Sequence, residues 1–454
     1  MKLLIQNGLI VNADSSIKAD ILCENGKILK IATAIEEKVD EIVDASNAYV
    51  FPGGIDPHVH LHLPNPAGFS SDDFYSGTRA ALYGGTTTII DFVTPKKGQS
   101  LLEALHQRKE EALNAIIDYS FHVSPIEWTD TTEEEIKQCI SEGVTSFKIY
   151  MAYKKSIGLD DDDILKVMKA VGKYGGLVTA HCELGEDIEK LRDIFAKQGK
   201  LKPKFHPLSR PEKLEAIAVN NFIALAKRAN CPAYVVHVST KGSLHYIKKA
   251  QDEGQQVYAE TCPQYLLMDE SKYLGSFKQT APFVMSPPLR TKADNEALWK
   301  AIETTIIQTV GTDHCPFTLS QKNYGKNDFR KIPNGAGGVE HRMSLLYSYG
   351  VLESKMTLNQ FVNSTSTQVA KIFELYPRKG VLQEGSDADI VIWKPEENII
   401  SAKSHHQNCD INIYEGMQTK AYPAVVILNG EIVKDEDKIV SSKRKASFLK
   451  RSKR

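Results

Sequence analysis

The sequence predicts an α/β fold, a (β/α)8 TIM barrel accompanied by a small β-sandwich domain formed from the N- and C-terminal segments. Between residues 51 and 375, short β-branched runs alternate with amphipathic stretches, the pattern of repeated βα units around a parallel sheet. Eight such runs can be counted, at residues 49–60, 86–93, 116–124, 145–152, 177–183, 233–239, 256–262 and 307–314. Both flanks read differently, as short strands punctuated by Asn-Gly turns.

In chain order, residues 1–50 supply LLIQNGLIV, ADILCENGKILKIA and EIVDAS, half-apolar strands that need a partner sheet. The opening residues read as a strand rather than a leader, because polar Gln6, Asn7 and Asn12 interrupt the apolar run. The barrel follows over 51–375, and stretches such as LDDDDILKVMKAVGKYG and RPEKLEAIAVNNFIALAKRAN repeat apolar residues at helical spacing. Residues 376–440, with ADIVIWK and AVVILNGEIVK, return to short strands and complete the sandwich. The last stretch, 441–454, is a basic tail that reads as solvated and disordered.

Bulk properties exclude several classes. A chain of 454 residues accommodates a barrel and a minor domain. With 42% hydrophobic and 25% charged residues and a formal charge of -1, it lacks the positive excess of a nucleic-acid binder. No apolar run is long enough to cross a bilayer. Seven scattered cysteines without a CxxC pair argue against a disulfide framework and fit a reducing cytoplasm.

The sharpest local signal is GGIDPHVHLHLP. His58 and His60 stand two apart at the end of the first barrel strand, so alternation turns both imidazoles into the barrel. Two strand histidines can be merely packed, yet the C-terminal ends of barrel strands are where active sites form. His181 in LVTAH, His237 in AYVVHVS and Asp313 in VGTDH fall at that same end of strands five, six and eight. Each alone reads as a hydrogen-bonded rim residue, but together with the His pair they form a convergent constellation. Lys148 is an anomaly, a charge in the middle of the apolar strand SFKIYMA. A buried salt bridge or an outward-reaching stem would account for it. So would a desolvated, partly neutral amine that reacts with carbon dioxide, giving a carbamate with one oxygen for each of two metals.

These residues resemble the amidohydrolase superfamily, and within it the dihydropyrimidinase and hydantoinase family, over nearly the whole chain. The likeness rests on GGIDPHVHL, GGTTTIIDF, FKIYMAY, TAHCE, HVS, AETCPQYL, MSPPLR, GTDHCPF, IPNGAGGVE and SDADIVIW. The resemblance implies two divalent metal ions, zinc being expected. His58, His60 and Asp313 would hold the more buried ion and His181 and His237 the more exposed one, with N6-carboxylated Lys148 bridging them. It further implies that Tyr153 polarises the scissile carbonyl and that backbone groups at Ser286 and Asn334 hold the imide edge of the substrate. Asp313 would shuttle the proton while a metal-bridging hydroxide attacks. The implied reaction opens a 5,6-dihydropyrimidine or hydantoin ring to an N-carbamoyl amino acid, and the implied assembly is a homotetramer. Cys182 and Cys315 receive no catalytic role. His62 departs from the acidic or amide residue of many hydantoinases, and it reads as a rim residue where the chain turns. The loops 62–72 and 153–160 would then face the exocyclic substituent.

Allantoinase and dihydroorotase share the implied fold and metals. The arginine that usually follows HxHL in dihydroorotases is replaced here by His62, which disfavours an acid substrate. Non-catalytic scaffold relatives lack several metal ligands, and this chain keeps them all.

Overall fold

The computed structural model describes residues 1–440 and 446–454. Eight parallel strands form one sheet in sequential order: β1 (Gly54–Val59), β2 (Thr86–Val93), β3 (Asp118–Val123), β4 (Ser146–Tyr150), β5 (Leu177–His181), β6 (Ala233–Val235), β7 (Val257–Thr261) and β8 (Thr309–Val310). The sheet closes where Val59 bridges His314 in parallel. Fully buried Arg342 ties the same seam, its Nη1 donating to Ile55 O at 2.8 Å and Val310 O at 2.9 Å. One guanidinium thus satisfies carbonyls of the first and last strands, which share no regular ladder among the described residues.

The helices cover the barrel as their periodicity predicts. In the helix Asp161–Lys173, Ile164, Val167, Met168 and Val171 are buried, and three aspartates occupy the first turn beside the positive end of the helix dipole. Each of these apolar side chains contributes about 2 kcal/mol on burial. The helix Glu212–Ala229 starts after Pro211 and stops at Asn230, which takes the left-handed conformation at φ 48°.

The first predicted run proves to be two strands. Tyr49–Pro52 pairs with Ile390–Ile399 in the minor domain, and only β1 belongs to the barrel. The break comes at Gly53, where a Cβ would lie 2.0 Å from Thr87 Oγ1, so only glycine lets the chain pass this close to β2 as it changes sheets.

The minor domain joins both termini in two sheets. The four-stranded sheet runs Lys27–Ala32, Asp20–Glu24, Lys2–Gln6, Glu41–Asp44; strands from Leu9–Val11 and Tyr49–Pro52 meet Ile390–Ile399 and Gln418–Leu428 in the seven-stranded one. Leu3, Ile5, Ile21 and Val50 from one end of the chain pack against Ile390, Ile392 and Ile427 from the other. Asn25-Gly26 and Asn429-Gly430 both have two successive positive φ values, the geometry that makes Asn-Gly the favoured hairpin turn.

The predicted tail is corrected for its described part. Residues 446–454 pack on the N-terminal rim of the barrel, where Leu449 is fully buried, and Tyr119 N donates to Ser447 O at 3.0 Å and Leu449 N to Tyr119 O at 2.7 Å. Buried Arg451 donates from Nη1 to Ser146 Oγ at 2.8 Å, so part of the basic tail serves as a plug rather than a solvated end. Residues 441–445 lie outside the described residues.

Candidate metal centre

At the C-terminal mouth of the barrel, His58 lies in β1 and His60 one residue past its end, and both turn inward as strand alternation requires. His58 Nε2 and His60 Nε2 are 3.2 Å apart, and each is 3.2 Å from Asp313 Oδ1. That equilateral triangle fits a cation. Ligand bonds of about 2.0–2.1 Å in tetrahedral geometry place neighbouring donor atoms about 3.3 Å apart. Among the described residues these three side chains form the one group of three or more His, Cys, Asp or Glu whose donor atoms lie close enough together to hold a metal ion.

A second pair faces them from β5 and the end of β6. His181 Nδ1 is 3.0 Å from His237 Nε2, and the His237 ring lies 5.3 Å from that of His58. Lys148, 1% exposed, rises from β4 into the same space. Its Nζ stands 5.0 Å from the Phe92 ring centre and 5.1 Å from that of Tyr150, and it forms no hydrogen bond or ion pair with any described residue. The salt-bridge and outward-stem accounts of this lysine therefore both fail. Burial pulls the amine down to about 8.

Carboxylates behind the imidazoles set which nitrogen points inward. His58 Nδ1 bonds Glu260 Oε1 at 2.7 Å, leaving Nε2 for the centre; His181 Nε2 bonds Glu183 Oε2 at 2.8 Å, leaving Nδ1. Glu260 Oε1 also accepts from His237 N at 3.2 Å and Glu260 Oε2 from the Tyr234 hydroxyl at 2.8 Å, so one buried acid orients a residue of each half of the site. Burial disfavours charge on His58, but Glu260 and Asp313 outweigh it and raise its pKa to about 9. Among the described residues His60 has no such carboxylate behind it, and burial lowers it to about 4. Burial alone would raise Asp313; the facing imidazoles of His58, His60 and His237 instead hold it well below the ordinary carboxylate range.

Tyr153 stands beside the second pair, its ring 5.3 Å from His181 and 5.7 Å from the Arg210 guanidinium carbon. Burial raises its phenol above the ordinary value although Arg210 draws it down. Arg210 in turn pairs with Glu183. Ser286 Oγ and Asn334 Oδ1 are buried without a hydrogen-bond partner among the described residues. Polar atoms left unsatisfied in this way mark a place for a ligand to complete.

Tyr153, His237 and Asp313 take positive φ values of 60°, 39° and 54°, conformations that cost energy in any non-glycine residue. His62, at φ 50°, leaves the strand direction and stacks on Phe69 with ring centres 4.0 Å apart, away from the ligand triangle. His314, next to Asp313, is spoken for by Asp72 at 3.0 Å and by Gly338 N at 3.0 Å. Burial pushes the thiols of Cys182 and Cys315 up, which keeps them protonated and unreactive.

Motif reading did not identify Glu183, Arg210, Glu260 or Phe92. A signal for the acids was present, since a carboxylate at the end of the buried runs TAHCE and VYAET is as anomalous as Lys148 in SFKIYMA.

A barrel mouth with a built cation triangle and a second imidazole pair defines a metal-dependent (β/α)8 enzyme class. Residues 49–433 match the amidohydrolase family, and the chain belongs to that family. It is 42% identical to a D-hydantoinase of Geobacillus stearothermophilus, covering 100% of this chain and 97% of that one. It is 41% identical to a dihydropyrimidinase of Rattus norvegicus, covering 95% of this chain and 85% of that one. The crystal structure of a dihydropyrimidinase from Brevibacillus agri superposes with a TM-score of 0.98 at 41% identity, covering 100% of this chain and 99% of the other.

Proposed function

We propose that the protein hydrolyses a –CO–NH– bond in a cyclic amide, opening a 5,6-dihydropyrimidine or hydantoin ring to an N-carbamoyl amino acid. The observation that carries this reading is the convergence of His58, His60 and Asp313 with His181 and His237 around the unpaired Lys148. The names of the relatives, D-hydantoinase and dihydropyrimidinase, support the substrate class.

His58, His60 and Asp313 would hold one divalent cation and His181 and His237 a second. Imidazole nitrogens together with a carboxylate oxygen are a donor set that suits zinc. Two such cations would supply hydroxide near neutral pH and polarise the scissile carbonyl. With its amine near 8, about a tenth of Lys148 is neutral at pH 7 and free to attack carbon dioxide, losing a proton to leave an anionic carbamate between the two halves of the site. Asp313, kept ionised by the imidazoles around it, would accept the proton of the attacking hydroxide and return it to the leaving ring nitrogen. Tyr153, kept protonated by burial, donates to the oxygen on which negative charge develops. Backbone groups of the Ser286 and Asn334 segments would take the imide edge and fix the ring for attack. A homotetramer accompanies this reading on family resemblance, and sizing of the metal-loaded protein tests it.

The test is a panel of dihydrouracil, aryl and alkyl hydantoins, allantoin and dihydroorotate on metal-replete protein, compared by kcat/KM. Turnover led by dihydrouracil or a hydantoin supports the proposal. Turnover confined to allantoin or dihydroorotate, or undiminished in metal-stripped protein, refutes it.

A further inference from the structure

The two segments assigned to the substrate edge come from separate parts of the chain. Ser286 follows a 3-10 turn at Ala281–Phe283, and Asn334 follows another at Phe329–Lys331. One backbone bond joins the segments, Gly335 N to Val284 O at 3.1 Å. The remaining link is a side chain. Lys322 ends the short helix Leu319–Lys322 and is 1% exposed. Its Nζ donates to Val284 O at 2.9 Å, to Pro333 O at 2.7 Å and to Gly335 O at 2.7 Å. Those carbonyls lie two residues before Ser286 and on either side of Asn334.

A buried lysine usually pairs with a carboxylate. Lys322 has no such partner among the described residues; its ammonium offers three N–H donors and the two segments present three carbonyls. This arrangement is costly, since burial brings the amine down to about 7. The second segment is also wedged in place. A Cβ on Gly335, at φ 141°, would lie 2.4 Å from Cys315 O, two residues beyond Asp313. A shift in the clasped pair would therefore change where the ring sits relative to Asp313 without moving the ligands themselves.

We propose that Lys322 is a positioning residue, whose ammonium clasps the Ser286 segment to the Asn334 segment and sets the spacing at which both hold the imide edge of the substrate. The proposal rests on the assignment of Ser286 and Asn334 made above. It separates Lys322 from the chemistry, because the side chain reaches none of His58, His60, Lys148, His181, His237 or Asp313.

The test compares the wild type with Lys322→Met, which keeps the stem length and removes all three donors, and with Lys322→Arg, which keeps charge and donors. KM for the best ring of the panel should rise about 10-fold or more in Lys322→Met, with kcat within about 3-fold and the metal content unchanged. Hydrogen exchange should quicken together in 284–288 and 333–337 and stay unchanged in 58–61. If Lys322→Met does not fold, Lys322→Arg is read the same way, with a smaller rise in KM. An unchanged KM overturns the proposal, and so does a fall in kcat with loss of metal. A wild type that opens no ring removes the substrate part of the proposal. Exchange then decides on the clasp alone, coupled quickening supporting it and independent or absent change overturning it.

Discussion

Replacing Lys148 with Met should make the metal-free protein more stable, the reverse of what deleting a buried group in a site ordinarily does. Lys148 is 1% exposed and has no ion pair or hydrogen bond among the described residues, only ring faces at 5.0 and 5.1 Å. Burial lowers its pKa from 10.5 to about 8. At about 1.4 kcal/mol per pH unit, keeping the ammonium there costs about 3 kcal/mol. Because the folded pKa lies below the unfolded one, that cost is complete below about pH 8 and vanishes as pH rises towards 10.5. Methionine has similar length and no charge to desolvate. An unfolding entropy of about 2.1 cal/mol/K per residue over 454 residues converts the gain into about 3 °C.

The assay is calorimetry of chelator-treated protein near pH 7 and again near pH 10. The Met variant should melt about 3 °C higher at the first pH, and the gap should close at the second. Adding zinc and bicarbonate should invert the order. Carboxylation turns the lysine into an anion, and ligand at about a thousandfold excess over its Kd stabilises the folded state by about 4 kcal/mol, a gain the Met variant cannot match without the bridge. A metal-free Met variant less stable than the wild type would refute the desolvation argument. An equal gain from metal in both proteins would refute the bridging role.

Glu260→Gln should weaken metal binding by about 10- to 100-fold in competition with a chelator, because the amide no longer enforces the His58 tautomer; unchanged affinity removes the orienting role. Tyr153→Phe should lower kcat by about 10²- to 10³-fold with little change in KM, the loss expected for one oxyanion donor, and an unchanged kcat excludes that role. Asp387→Asn should cost about 2 kcal/mol near neutral pH, since Asp387 accepts charged hydrogen bonds from Lys27 and Arg378 and faces buried Lys379. Those cations hold its carboxyl at about 2 against an ordinary 3.8, so its contribution is complete above about pH 4 and fades as pH falls towards 2. Urea midpoints of the two proteins should therefore converge as pH is lowered, and a constant gap contradicts the assignment.

The barrel was legible because parallel strands buried on both faces need continuous apolar runs, and helices between them need a 3.6-residue stripe. The sandwich was legible from its Asn-Gly turns, which have few alternatives to a tight hairpin. What escaped the sequence depends on close approach between distant residues. The need for glycine at 53 comes from its contact with Thr87, and the burial of Leu449 and Arg451 comes from packing against the barrel's N-terminal rim, which no local pattern announces. A basic composition predicts solvation for residues 446–454, and tertiary packing overrides it at Leu449 and Arg451.

The site shows the same division, and the reason is chemical. A cation accepts few donor types, so His58, His60, His181, His237 and Asp313 announce themselves at strand ends. The groups that hold them can be any hydrogen-bonding residue, so Glu183 and Glu260 show only as carboxylates in apolar runs, which does not give their role, and Arg210 shows nothing. Yet these groups allow the ligands to stay where they are. Asp313 sits at φ 54°, a conformation that would relax if unopposed. It is opposed on both sides. Thr312 Oγ1 donates to Asp56 Oδ2 at 2.6 Å, and His60 N donates to His314 O at 2.8 Å, so each neighbour of Asp313 is pinned to β1 or its end. The 3.2 Å triangle of donors is thus a property of the seam between first and last strands as much as of the three ligands. A barrel given the same ligands without Asp56, Thr312 and Glu260 would present the right atoms at the wrong separations.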